Sequence, residues 1–76
     1  MKRPDTPPLI KGHVYMSDAE FWDCIVTYDY SSNGRHNCYI LKVVRDDSEM
    51  LLTKGKVLYV KHIRALTDEE VFIHFI

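Results

Sequence analysis

Asn33-Gly34 is the pair of residues that most restricts what this chain can fold into. Both residues adopt positive φ readily, so an Asn-Gly pair between two strand-like runs predicts a two-residue hairpin. The run before it, Trp22 to Tyr30, and the run after it, Arg35 to Val44, are rich in β-branched and aromatic residues. With Asn33 and Gly34 as the loop, Tyr28 should face Tyr39, Val26 should face Leu41, and Cys24 should face Val43. These six residues would form one apolar face. The other face would carry Asp23, Ile25, Thr27 and Asp29 with Cys38, Ile40, Lys42 and Val44.

Two segments read as helix starts. Met16–Trp22 (MSDAEFW) and Leu66–Phe72 (LTDEEVF) share one pattern. Ser17 and Thr67 fit N-caps, Glu20 and Glu70 fit their capping-box partners, and an apolar residue precedes each cap. Short helical turns are therefore expected near 17–22 and 67–70. After Trp22 the residues favour a strand over a helix continuing to Tyr30. Residues 71–76 (VFIHFI) also favour a strand.

Asp46-Asp47-Ser48 predicts a further turn. Met50–Thr53 and Lys56–Ile63 predict a second hairpin around Lys54-Gly55. The resulting fold class is mainly β, with a small α+β arrangement as the variant. About five antiparallel strands would form a small barrel-like or strongly twisted sheet, since closure removes edges. Three prolines in residues 1–8 predict a flexible arm, and residues 9–76 predict a single small β-rich domain. The start of the chain lacks a secretory apolar core, no run suits a membrane helix, and the two cysteines fit free thiols. The expected compartment is cytoplasmic, with no membrane partner.

The formal charge of −1 gives no global field to recruit a polyanion, but the charge is segregated. Residues 17–29 carry −4 and residues 30–66 carry +4. Metal ligation is not expected. His13, Cys24, His36, Cys38, His62 and His74 lack the close pairing of a zinc site. Catalysis is not expected either. Asp29, His36 and Cys38 share the mixed face, but strand neighbours two apart stand about 6–7 Å from each other, beyond a hydrogen bond. Cys24 reads as a core residue and Cys38 as a surface thiol. No cofactor is implied.

The candidate nucleic-acid residues are Lys54, Lys56, Tyr59, Lys61, His62 and Arg64, where cations flank an aromatic in one stretch. Val57–Leu66 (VLYVKHIRAL) resembles the second motif of the Sm-like family over about ten residues, with Lys61-His62 echoing the Lys-His element of its bacterial branch. That resemblance implies an oligomer binding RNA or single-stranded nucleic acid. The glycine and asparagine pattern of the family's first motif is missing.

The candidate protein-binding residues are Tyr30, Arg35 and His36 near the hairpin tip, with Phe72 and Phe75 in the last segment. Two apolar faces at a chain end need two covers, and the second can come from another chain. Trp22, Tyr30, Tyr39 and Tyr59 are types that anchor interfaces. The leading expectation is a non-enzymatic protein-interaction module, an accessory subunit or inhibitor of a larger complex, of the kind phages and other mobile elements often encode. Its partners would be another protein or further copies of itself. The Sm-like nucleic-acid binder is the alternative.

Overall fold

The computed structural model describes residues 8–76. Residues 1–7 of the expected arm lie outside them; Pro8 is exposed. The chain is mainly β. Among the described residues the elements are β1 (Val14–Asp18), β2 (Trp22–Ser32), β3 (Arg35–Asp46), β4 (Val57–Val60) and one helix, α1 (Asp68–Phe75). The strands form a single antiparallel sheet in the order β1-β2-β3-β4. The sheet stays open rather than closing into a barrel. Beyond β4 the chain returns to the outer edge of β1 at one bridge only, where Met16 and Arg64 exchange backbone hydrogen bonds of 2.7 and 3.0 Å.

The Asn33-Gly34 hairpin forms as its chemistry predicts. Asn33 has φ 55° and Gly34 φ 75°, and Ser32 pairs with Arg35, Ser31 with His36, and Tyr30 with Asn37. The register then slips at Asp29, a β-bulge. Tyr28 pairs with Cys38 and Val26 with Ile40, one place away from the expected Tyr39 and Leu41. A second irregularity between Val26 and Ile25 restores the expected pairing of Cys24 with Val43. A one-residue slip moves a strand's side chains to the opposite face. Cys38 and Ile40 are therefore fully buried, while Tyr39 stands 43% exposed.

The core lies on the inner face of the sheet. Its main cluster is Cys24 and Val26 from β2, Cys38 and Ile40 from β3, Leu58 from β4, and Leu52 from the β3–β4 connection; Met16 and Ile25, paired across β1 and β2, are buried outside that cluster. Tyr15, Trp22, Tyr28, Val43, Val60 and Ile63 pack around the main cluster, half-buried. Cys38 is thus a core residue and not the surface thiol expected. Burial pushes both thiols up to about 11, with Asp46 and Asp23 adding to the effect on Cys24 and Asp29 on Cys38. Protonated and enclosed, neither is a nucleophile at neutral pH.

Three further expectations give way. No helical turn forms at 17–22. Ser17 lies in β1, buried, and its Oγ accepts the Trp22 indole N–H at 3.2 Å. Met50–Thr53 is not a strand, so β4 pairs with β3 rather than closing a second hairpin. The connection is instead pinned by the Asp46 carboxylate. Its Oδ1 accepts from the Ser48 amide and hydroxyl, and its Oδ2 accepts from the Leu52 amide at 3.0 Å, which seats Leu52 in the core. Lastly, residues 71–76 are not a strand. The capping box at Thr67 starts a helix that runs on to Phe75.

Arg64 holds that helix to the sheet. Its Nε donates to Asp18 at 2.8 Å, and its two Nη groups donate to the two carboxylate oxygens of Glu70, each at 2.8 Å. This is the bidentate geometry that suits a guanidinium to a carboxylate. The same carboxylate accepts from the Thr67 amide at 2.9 Å, and the Glu70 amide donates back to the Thr67 hydroxyl. Arg64, and then the Thr67 amide, hold the Glu70 carboxyl down from its ordinary 4.5 to about 2.

Three outcomes test this description. Gly34→Val should destabilise the fold by about 1–2 kcal/mol in urea unfolding, because a β-branched residue at positive φ is strained. Both cysteines should resist a disulfide-exchange reagent at pH 7.5 in the native protein and react together once urea unfolds it. The depressed Glu70 carboxyl stabilises the folded form at pH above 4.5, and that contribution disappears as pH falls toward 2. Amide protection across 70–75 should therefore decline in that window, and Glu70→Gln should remove the dependence.

Candidate functional site

Because residues 35, 37 and 39 of β3 point outward, the outer face near the hairpin tip collects several residue types that recognise ligands. Tyr30, Asn37 and Tyr59 lie in one row across β2, β3 and β4, and Tyr39 and Val57 lie in the next. Tyr30 is 51% exposed and Tyr59 43%. The Arg35 guanidinium sits over the Tyr59 ring, 5.9 Å from its centroid, within the range of a cation–π contact. The Tyr59 hydroxyl donates to the Ser32 carbonyl at 2.7 Å, and the Tyr39 hydroxyl donates to Asp29 at 3.3 Å. Lys11 also pairs with Asp29, so that carboxylate is neutralised. Asn37 Oδ1, buried between the tyrosines of its row, has no hydrogen-bond partner among the described residues.

His36 lies on the inner face. Its Nδ1 is 2.8 Å from the Ser31 hydroxyl, which is 2.6 Å from the Tyr28 hydroxyl, and its ring stands edge-on to Tyr28. The structure therefore separates His36 from Tyr30 and Arg35, which share the outer surface. Asp29 leaves the cysteine's face at the bulge, so the Asp29, His36, Cys38 grouping does not form.

The basic stretch is also divided. Arg64 is committed to Asp18 and Glu70, and Lys56 donates to the Met50 carbonyl at 3.2 Å. Lys54 stands exposed on the turn before β4. Lys61 and His62, just beyond β4, line a hollow of about 290 Å³ with Arg35, Tyr59, Val60 and Trp22. The hollow lies between the end of β1 and the end of β4, where the sheet fails to close. Trp22 was legible in the sequence as an aromatic anchor. Its position opposite Lys61 was not, because that depends on how far the sheet curls.

A second surface is the helix. Glu70 and His74, one turn apart, face the body of the protein: Glu70 meets Arg64, and His74 Nδ1 lies 3.2 Å from Lys42 Nζ. The rest of the helix is unburied. Phe72 is 65% exposed, Ile73 60%, Phe75 53% and Ile76 86%. Phe72, Phe75 and Ile76, spaced i, i+3, i+4, form one apolar stripe. Sequence reasoning singled out Phe72 and Phe75, but placed them on opposite faces of a strand.

Among the described residues no group of three or more His, Cys, Asp or Glu side chains could hold a metal ion, and no helix is long and apolar enough to cross a membrane. No protein-family model matches the chain, and neither does any curated protein or solved structure.

Proposed function

We propose that this chain is a small protein-interaction domain that docks its C-terminal helix into an apolar groove of a larger protein, as an accessory subunit or inhibitor. The observation that carries this reading is α1 itself: a helix tethered by polar contacts on one side, with Phe72, Ile73, Phe75 and Ile76 left in solvent. Soluble monomers seldom leave contiguous large apolar side chains uncovered unless the patch binds something. Helix-in-groove recognition uses the i, i+3, i+4 anchor spacing found here.

The helix spans eight residues, a little over two turns. Two such helices laid side by side would bury too little to hold a dimer, which favours a preformed groove over a symmetric pair. Fully burying a Phe or Ile gains roughly 1.5–3 kcal/mol, so three anchors contribute about 4.5–9 kcal/mol before the cost of association. The sheet supplies the scaffold, and the Arg64 clamp fixes the angle at which the helix leaves it.

A photo-crosslinking residue at position 72, introduced into the full chain in its host cell, should yield one adduct of defined mass. Phe75→Asp should abolish that adduct, while the variant's thermal midpoint stays within a few degrees of the parent because nothing in the helix is buried. An adduct of twice the chain mass would assign the helix to self-association, and adducts insensitive to Phe75→Asp would refute the reading.

A further inference from the structure

The outer face of the hairpin tip is a separate surface from the helix stripe, and its chemistry differs. It presents three exposed tyrosines and a stack of guanidinium on phenol, with Val57 beside Tyr39 as its exposed aliphatic side chain. We infer that this face binds single-stranded nucleic acid, with bases stacking on Tyr39, Tyr59 and Tyr30 and phosphates held by Arg35, Lys61 and Lys54.

The arginines elsewhere in the sheet region are committed: Arg45 donates to Asp23, Asp47 and two backbone carbonyls, and Arg64 to Asp18 and Glu70. Arg35, Lys54 and Lys61 form no ion pair among the described residues. They flank the tyrosines on β3, before β4 and after β4. The acidic group on this face, Asp29, is held by Lys11 and the Tyr39 hydroxyl. Arg35 and Lys61 thus stand at this end with no carboxylate of their own, while Asp18, which shares Arg64 with Glu70, lies across the hollow.

Tyr59 and Tyr39 occupy successive same-face rows, about 7 Å apart along the strands, on adjacent strands. Aromatic rings stepped in this way, with cations at the margins, form a platform for successive bases, because every base has a π-face. Both tyrosine hydroxyls are anchored by hydrogen bonds, so the rings are already ordered. Arg35 offers its own plane for stacking beside Tyr59. The hollow that Arg35 and Tyr59 share with Trp22, Lys61, His62 and Asp18, whose carboxylate is held by Arg64, has room for a splayed base. Only a single strand exposes its base faces to such a platform; in a duplex they are stacked away.

The test is fluorescence anisotropy with labelled 15-mers of thymidine and uridine, against a labelled 15-base-pair duplex, in 50 and 200 mM salt. The expected result is single-strand binding that weakens with salt, at a log–log slope of roughly −2 for three neutralised phosphates. Tyr59→Ala and Arg35→Gln should each weaken it about tenfold, Tyr59→Phe should retain it, and Phe72→Asp should leave it unchanged. Circular dichroism confirms that each variant is folded, and Arg35→Gln, at a side chain that holds no ion pair, keeps the test available if Tyr59→Ala is not. Failure to bind either single strand at 100 μM protein in 50 mM salt would overturn the inference. So would equal affinity for the duplex, or affinity indifferent to Arg35→Gln. Self-association that Arg35→Gln breaks, without oligonucleotide binding, would assign the face to a second copy of the chain and equally overturn it.

Discussion

The β-bulge at Asp29 is the constraint on which both faces of the sheet depend. In a regular strand Tyr28 and Tyr30 would share a face. The extra residue between them turns Tyr28 inward opposite Cys38 and Tyr30 outward opposite Asn37. Tyr28 then packs edge-on against Tyr15 and His36 and closes one end of the core. Tyr30 joins Tyr59 across the outer face. The bulged Asp29 is itself anchored by Lys11 and by the Tyr39 hydroxyl, which ties the N-terminal side of β1 to β3. Bulges also increase local twist. The sheet curls enough for the chain beyond β4 to reach β1, although only Met16 and Arg64 pair there.

Local chemistry was readable where a few adjacent residues decide the outcome. Asn33-Gly34 makes its turn because both residues tolerate positive φ, and Thr67 with Glu70 makes its capping box because each satisfies the other's backbone amide. The same four-residue pattern at Ser17 and Glu20 yields no helix. There the alternative was five residues of ladder with β2, and burial of the Ser17 hydroxyl under Trp22. A capping box removes an obstacle to helix formation, whereas a neighbouring strand supplies hydrogen bonds and core contacts together. At 71–76 the balance reverses. The residues prefer a strand, but the cap and the Glu70–Arg64 fork hold the helix.

Register was readable only in part: near the turn and at Cys24, beyond which it slips again so that Asp23 meets Arg45. The turn sets the pairing of Tyr30 with Asn37, and Cys24 meets Val43 as the apolar pattern requires. Between them two irregularities displace the pairing and restore it. Nothing in the local sequence marks them, because both faces of β3 carry apolar residues and either register buries some of them. The placement of Cys38, Tyr39 and His36 follows from that slip. So does the loss of the mixed face on which a thiol, an imidazole and a carboxylate would have met.

The positive charge in residues 30–66 shows why a run of sequence charge is a poor map of a surface. Of its arginines, Arg45 and Arg64 are consumed in joining the β1–β2 turn to β3 and the helix to β1. Arg35 is left on a ring with no carboxylate partner among the described residues. An ion pair in water adds little stability, but several donors converging from one guanidinium can fix the relative position of elements that share few apolar contacts. The fold therefore uses its cations unevenly: two arginines position the scaffold, and the cations left over gather where the tyrosines lie. The apolar residues follow a parallel division. Those on the inner sheet face fill the core, and those on α1 remain outside it because Glu70 and His74 turn the helix's polar side toward the sheet. Both exposed surfaces are thus products of where polar anchors fall, and each is separable by mutation from the packing that keeps the domain folded.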